Sequence, residues 1–390
     1  MIRFEEALKT VLEHAPAMGK MEVALPESLG RFLAQDVVSD MDMPPFDKSA
    51  MDGYACRRAD LSKTLTVIET VAAGTLPAFR VETGQCTRIM TGARIPEGSD
   101  CVVKLEDTEE AGEGMIRFIA KDTRDNIAQK AEDVRKGDIL IRKGTRIAPQ
   151  HIAVMAMVGL YLPKVARMPK IDIFSTGDEL VEPFVKPVRG QIRNSNGYQL
   201  LNQAIRAGAD PAYMGILPDR EKESLEKIRY SLDHSDVILL SGGVSQGDFD
   251  FLPAVFEKLR INILFRTIAS QPGKPTIFGT YKKKVIFGLP GNPVSSFNLF
   301  ELLVRPMLEK MMGREEFGAL ERLPMGVPYR RKKSDRLNWF PVVMRDGKIY
   351  PVEYHGSAHI SAHLSASHIA AIPIGVTELN PGDLLDVRPI

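Results

Sequence analysis

Cysteine is scarce in this chain. Cys56, Cys86 and Cys101 are the whole complement, and no two of them form a C-x-x-C pair. An odd, dispersed set argues against a disulfide framework and against a zinc knuckle, and it fits a reducing cytosol. An excess of charge of either sign is also missing, because 51 basic residues stand against 50 acidic ones, a net charge of +1. Without a global field to recruit nucleic acid or an anionic membrane, any anion binding has to be local. Long apolar runs are absent too. The most apolar window, 152–162, is about half of what a membrane-spanning helix needs. The opening MIRFEEALKTVLEHA carries two adjacent glutamates and no apolar run, so it reads as an amphipathic helix and not as a signal peptide. These absences lead us to expect a cytoplasmic protein with neither nucleic acid nor membrane as partner. No low-complexity segment or fixed-period repeat occurs. Trp339, the single tryptophan, is expected in a core and not as a stacking platform.

What is present is an ordinary globular composition, 44% apolar and 26% charged. A chain of 390 residues is expected to divide into roughly two to four domains. Residues 1 to 40 read as two helices, with Phe4, Leu8 and Leu12 on one face of the first. Consecutive prolines in MPPFDKSAMDGYA (43–55) then impose an extended approach. Short strands with turns at Pro96-Glu97-Gly98 and Gly112-Glu113-Gly114 fill 55 to 145, and 148–158 returns to helix. From Pro169 strands and helices alternate: KIDIFS, 198–207, AYMGIL, 221–232, DVILLS, 252–259, TIFG, KVIFGL and a long helix over 293–312. That alternation predicts a doubly wound, largely parallel α/β domain. The division expected is 1–45 with 139–168 as a helical and extended domain, 46–138 as a β-rich domain, 169–315 as the α/β domain and 322–390 as a small C-terminal β domain. Arg345 to Lys348 and NPGD (380–383) are expected turns of the last.

In open parallel sheets the ligand crevice lies at the carboxyl ends of the strands. Three such ends carry glycine with serine, threonine or asparagine: STGDEL (175–180), SGGVSQGDFDF (241–251) and LPGNP (289–293). In the first, Thr176 and Gly177 are candidate binding residues. Gly242 and Gly243 permit left-handed backbone and close approach, while Ser241 and Ser245 offer hydroxyls, a pattern suited to phosphate. After Pro290 and Gly291, Asn292 is a candidate helix cap and Pro293 suits the first helical position, where free N–H groups favour an anion. A plain tight turn and a well-capped helix are the blander readings of these strings. Acids crowd the same strand ends: Glu179, Asp219, Asp248 and Asp250. Carboxylates repel phosphate unless a cation lies between them. Mg²⁺, a hard ion held by one or two carboxylates plus substrate phosphates, reconciles the two and points to phosphoryl chemistry.

These motifs, with PPFDKSAMDGYA (44–55), IMTGARIPEG (89–98), EDVRKGD (132–138), GQIRNSNGYQL (190–200) and PGKPTIFG (272–279), run through essentially the whole chain. In that order they resemble the molybdopterin molybdenumtransferase family, the molybdenum-insertion enzymes of molybdenum cofactor synthesis, related to the gephyrin E domain. The resemblance implies an elongated four-domain homodimer whose first domain is a dimerisation domain. It implies that adenylylated molybdopterin and molybdate are converted, with Mg²⁺, to molybdenum cofactor and AMP. By motif position Glu179, Asp219 and Asp250 would hold metal and serve cleavage, and Asp52 and Thr91 of the partner subunit would complete the cleft. Lys274 would hold phosphate or molybdate, and Ser357 would contact substrate. The chain departs from the family pattern at Gln271 (usually Lys), Thr267 (often basic, with Arg266 adjacent), Ala128 (usually Arg) and Ala131 (usually Gly). An arginine lost at 128 forfeits a bidentate anion contact that Lys130 replaces only as a point charge. The oxyanion, molybdate or tungstate, is left open.

Two rival functions share these residues. A molybdopterin adenylyltransferase would need only the middle third of the chain, and a pterin-binding scaffold would gain nothing from acids beside phosphates. His355, His359, His363 and His368 lie close in sequence, yet with no cysteine nearby they read as a solvated or cleft-lining helix rather than a metal site. The basic run Tyr329 to Lys333 lacks interleaved aromatics and reads as a solvated strand.

Overall fold

The strand and helix alternation after Pro169 produces a six-stranded sheet in the computed structural model, which describes residues 1–218, 220–244, 252–315 and 320–390. The strand order is Asp210–Leu217, Lys170–Thr176, Val237–Ser241, Lys284–Leu289, Pro275–Tyr281, Asn262–Thr267. The first three pairings are parallel. The last two are antiparallel, so the sheet is mixed. The reversal comes from a tight turn at Lys282, where φ is +54°, that folds Pro275–Tyr281 back onto Lys284–Leu289. The edge strand Asn262–Thr267 had no counterpart in the sequence reading. Chain order explains where a ligand crevice must lie. From Lys170–Thr176 the chain passes to one neighbour, Asp210–Leu217, and then crosses to the other, Val237–Ser241, which creates a switch point at their carboxyl ends.

Helices cover both faces. Asn196–Arg206 turns Leu200 and Ala204 into one apolar layer, and Glu221–His234 turns Ile228 and Leu232 into the other. The long C-terminal helix of the sheet is not uniform. Pro293–Leu299 passes through a π-turn at Phe300–Val304 into Arg305–Met311. Pro306 offers no N–H to the carbonyl one turn back, which accounts for the widened turn. Phe300, Val304, Met307 and Met311 are buried, while Phe297 is only half-buried.

The chain divides into two units, one comprising Met1–Gln35, Lys143–Ala148 and Leu162–Ile390, the other Asp36–Arg142 and Pro149–Tyr161. In the first, the N-terminal helix Phe4–Glu13 buries Phe4, Ala7 and Val11, with Leu8 and Leu12 at the edge of that face. No second helix of ordinary length follows. A single 3₁₀ turn, Leu25–Ser28, forms instead, because Pro26 and the left-handed Gly30 (φ +76°) allow no longer run. The C-terminal residues build a second sheet around Leu337–Arg345 and His368–Ile372, with Phe340, Val342, Ala370 and Ile372 in its core. Trp339 is buried edge-on against Phe4, as a core residue. Asp346 and Gly347, both at positive φ, make the expected hairpin turn.

The second unit is a six-stranded sheet ordered Cys101–Lys104, Gly53–Cys56, Gln85–Ile89, Thr64–Val71, Met115–Phe118, Thr108–Gly112. Alternation along Gly53–Cys56 sends Cys56 to one core cluster and Ala55 to another. The three cysteines are buried and unpaired, with Cys56 opposite both Cys86 and Cys101. Gly53 is obligatory for close strand approach, since a Cβ there would lie 1.9 Å from the Val103 carbonyl oxygen. Among the described residues no helix is long and apolar enough to cross a membrane.

Candidate ligand crevice at the strand ends

The switch point opens into a cavity of about 510 Å³ whose wall includes Ser175, Thr176, Glu179, Arg193, Asn196, Ser241, Gly291 and Asn292. Two of the three strand-end loops expected to converge there line it together with residues 192–196, and Ser241, at the head of the third, also contributes. The Thr176 hydroxyl donates to the Ser241 carbonyl at 3.3 Å, and the Gly242 N–H donates to the Leu289 carbonyl at 2.9 Å. Gly242 stands at φ +97°, and a Cβ there would lie 2.6 Å from Thr176 Oγ1 and 2.7 Å from its carbonyl oxygen. Gly243, at φ +64°, faces the same threonine at 3.0 Å. Here glycine serves both the left-handed backbone and the tight contact.

Asn196, at the start of its helix, is the side chain that joins the loops. Its amide donates to Ser241 Oγ at 2.7 Å and to the Gly291 carbonyl at 2.8 Å. Ser241 Oγ in turn donates to the Pro290 carbonyl at 3.5 Å. The sequence reading assigned no role to Asn196, nor to Ser175 and Asn194, which form a 2.9 Å hydrogen bond in the same wall. For the two asparagines the signal was the asparagine and serine cluster of GQIRNSNGYQL at the start of a helix.

The helix at LPGNP behaves differently from expectation. Asn292 makes no side-chain cap and is exposed at the cavity. Pro293 has no N–H, and the Val294 N–H already donates to the Ser357 carbonyl at 3.0 Å. The anion-binding capacity of this helix start is therefore smaller than its sequence suggested, because a donor is consumed from elsewhere in the chain. The same bond brings Ser357 to the site, and the adjacent Ala358 lines the cavity. Lys274 precedes Pro275–Tyr281 at the carboxyl-end edge of the sheet and is exposed. It makes no ion pair among the described residues.

Glu179 is the carboxylate of the described cavity wall. Its carboxylate folds back over Gly177 (φ +139°), where a Cβ would lie 2.4 Å from Glu179 Oε2, and it has no hydrogen-bond partner among the described residues. Gly177 is thus the space that the acid occupies. Asp219, Ser245, Asp248 and Asp250 lie outside the described residues. Among the described residues no three histidine, cysteine, aspartate or glutamate side chains are grouped so as to hold a metal, the histidines of 355–368 included. His363 is half-buried beside Phe297, with its ring nitrogen 3.1 Å from Asn298 Oδ1. Burial pushes its pKa down to about 4. The histidine segment forms a 3₁₀ turn, Ile360–Leu364, and a buried strand at His368.

In the smaller unit Asp52 and Thr91 come together. The Thr91 N–H and hydroxyl both donate to Asp52 Oδ1, at 2.6 and 2.7 Å. The backbone bond first, and the hydroxyl second, hold the Asp52 carboxyl below the usual carboxylate range. Ala128 pairs with Lys48, just ahead of SAMDG. Ala131 adopts φ +61°, so alanine occupies a backbone conformation that glycine accepts without strain. Lys130, next to it, lies 3.3 Å from Asp42, which already balances its charge.

An open α/β sheet with glycine-bearing loops and an amide-rich cavity at its switch point defines a protein of the class that binds a polar ligand across strand ends. Comparison with known proteins narrows this. Residues 2–159 match the MoeA N-terminal region (domain I and II), and residues 172–310 match the family described as probable molybdopterin binding domain. A molybdopterin molybdenumtransferase of Bacillus subtilis is 39% identical over 326 residues, covering 80% of this chain and 76% of that protein. One from Staphylococcus epidermidis is 32% identical, covering 99% of this chain and 95% of its own. The crystal structure of a molybdopterin biosynthesis MoeA protein from Pyrococcus horikoshii superposes with a TM-score of 0.86 at 29% identity, over the full length of both chains. The chain belongs to the molybdopterin molybdenumtransferase family.

Proposed function

We propose that this protein inserts molybdenum from molybdate into adenylylated molybdopterin, releasing AMP and forming molybdenum cofactor. The observation that carries the reading is the single cavity in which Thr176, Ser241, Gly291 and Asn292 meet Glu179. Close-approach glycines and amides suit phosphate and a polar heterocycle, and an unspent carboxylate suits a cation beside them. The names of the relatives support the same chemistry, and the match over the whole chain favours it over a stand-alone adenylyltransferase. In this reading Thr176, Ser241 and Gly242 orient the nucleotide. Lys274 neutralises phosphate or the oxyanion, and Glu179 with Asp219 and Asp250 would hold Mg²⁺. That ion, when bound, would neutralise charge on the pyrophosphate oxygens. Glu179 fits such a role, since one or two carboxylates plus substrate phosphates are what the ion requires. The functional unit in this reading is a cytoplasmic homodimer, with Asp52 and Thr91 of the partner subunit contributing to the cleft.

The test is to incubate the purified protein with adenylylated molybdopterin, molybdate and Mg²⁺ and to follow AMP release and cofactor formation. Absence of AMP release from a protein that still binds the nucleotide would sink the reading in favour of a pterin-binding scaffold. The neutralised Lys130 and the missing arginine at 128 favour that second reading. Tungstate in place of molybdate decides the oxyanion, and sedimentation decides the dimer.

A further inference from the structure

The segment between Glu179 and Asn194 forms a rim of the cavity and is anchored at its root by a two-residue parallel pairing, Leu180 with Ile192 and Val181 with Arg193. Its backbone leaves and returns at one place, so an additional tie must decide how the rim stands. Glu182 provides that tie. Tyr213 Oη donates to its Oε1 at 2.8 Å, and Tyr198 Oη donates to its Oε2 at 3.0 Å. Among the described residues these are the side-chain hydrogen bonds that join 182–190 to the sheet and its covering helix.

The hydrogen bonds behind Tyr213 run in one direction. Ser175 Oγ donates to Asn194 Oδ1 at 2.9 Å, Asn194 Nδ2 donates to Tyr213 Oη at 2.6 Å, and Tyr213 passes its own proton donation to Glu182. The Gly197 N–H also donates to Asn194 Oδ1 at 3.1 Å, which fixes the amide orientation independently. The chain therefore begins on two cavity-wall residues, Ser175 and Asn194, and ends on a carboxylate carried by the rim. A terminal anion polarises and strengthens each preceding bond. The backbone makes room for this arrangement. A Cβ at Gly197 would lie 2.5 Å from the Tyr213 ring, and a register shift between Ile173 and Ser175, beside left-handed Gly215, sets the strand that carries Tyr213. The rings of Tyr198 and Tyr213 are 5.2 Å apart, so both phenols reach one carboxylate. Burial, and then the bond to Glu182, push the Tyr213 phenol above its ordinary range, so it stays a proton donor at working pH.

We propose that Glu182 is a positioning residue. Through Tyr213 and Tyr198 it holds the cavity rim in the stance that binds the pterin nucleotide, and it orients Ser175 and Asn194 as wall groups. The proposal rests on the function proposed above.

The experiment measures kcat and KM for adenylylated molybdopterin, together with thermal melting, for wild type, Glu182→Ala, Glu182→Gln, Tyr213→Phe and Tyr198→Phe. Glu182→Ala and Tyr213→Phe are expected to raise KM about 10-fold with kcat within about twofold, the signature of lost uniform binding. Glu182→Gln, which keeps an accepting oxygen, is expected to recover KM to within about threefold of wild type, and Tyr198→Phe to have the smallest effect. An unchanged KM in both Glu182→Ala and Tyr213→Phe overturns the proposal. So does a loss that follows the melting temperature and is not rescued by Glu182→Gln. A wild-type protein without turnover brings down the functional reading and this proposal together, whereas active wild type with unaltered variants brings down this proposal alone.

Discussion

The strand-end cavity of the larger unit and the Asp52 loop of the smaller one treat their polar side chains in opposite ways. In the loop, both Thr91 donors are spent on Asp52 Oδ1, and Lys130 is spent on Asp42. In the cavity, hydrogen bonds among wall residues are used to fix the loops, while the side chains of Glu179 and Asn292 have no hydrogen-bond partner among the described residues. The lesson is that motif residues of equal prominence in sequence divide into those that shape a site and those left available to a ligand. Only the distribution of partners separates them, because a buried or paired polar group has already exchanged its water for protein.

The contrast can be broken most forcefully at Gly242. Gly242→Ala puts a methyl 2.6 Å from Thr176 Oγ1 at φ +97°, and is expected to cost about 2–3 kcal/mol of stability in denaturant unfolding and to abolish nucleotide binding. Gly291→Ala is the control in the same wall. Its nearest neighbour is Gly242 Cα at 3.7 Å, so its stability should stay within about 1 kcal/mol of wild type. Equal losses in the two would show that the Thr176 contact is not what glycine serves at 242.

Next in size is Asn196→Ala. It leaves Ser241 Oγ and the Gly291 carbonyl without their donor, at a cost of about 1–3 kcal/mol, and should weaken nucleotide binding in calorimetry. Full retention of affinity would make the asparagine a structural joint only. In the smaller unit Ala131→Gly relieves a left-handed alanine and should raise stability by about 0.5–1 kcal/mol without altering nucleotide affinity.

The smallest effect is confined to low pH. The folded pKa of Asp52 is depressed by Thr91, so its contribution is fully present above the unfolded value of about 3.9 and is lost as pH falls through the folded value. Melting curves of wild type and Asp52→Asn should therefore differ near neutrality and converge in acid. A constant gap at all pH values would place the contribution elsewhere.

Much of the architecture was legible from local pattern. Apolar strands KIDIFS and DVILLS, the glycine-bearing loops that follow them and the turn at Asp346-Gly347 are encoded within a few neighbouring residues. The second helix expected before residue 40 failed because Pro26 and Gly30 outweigh the surrounding apolar spacing. The edge strand Asn262–Thr267 was missed because it reads as a strand only once Pro275–Tyr281 lies beside it. Asn196 was missed for a related reason, since its partners are 45 and 95 residues away in the chain. The Val294 N–H, expected to be free for an anion, was claimed by the carbonyl of Ser357.

The sequence by itself determined the succession of elements, the glycines that permit left-handed loops and the resemblance to one family. Each depends on propensities and steric limits acting between near neighbours. The tertiary structure alone decided which polar groups meet, which are consumed by one another, and that Ser175, Asn194, Tyr213 and Glu182 form a single directed chain. Hydrogen bonds between distant segments depend on where whole elements come to rest, and no local pattern carries that information.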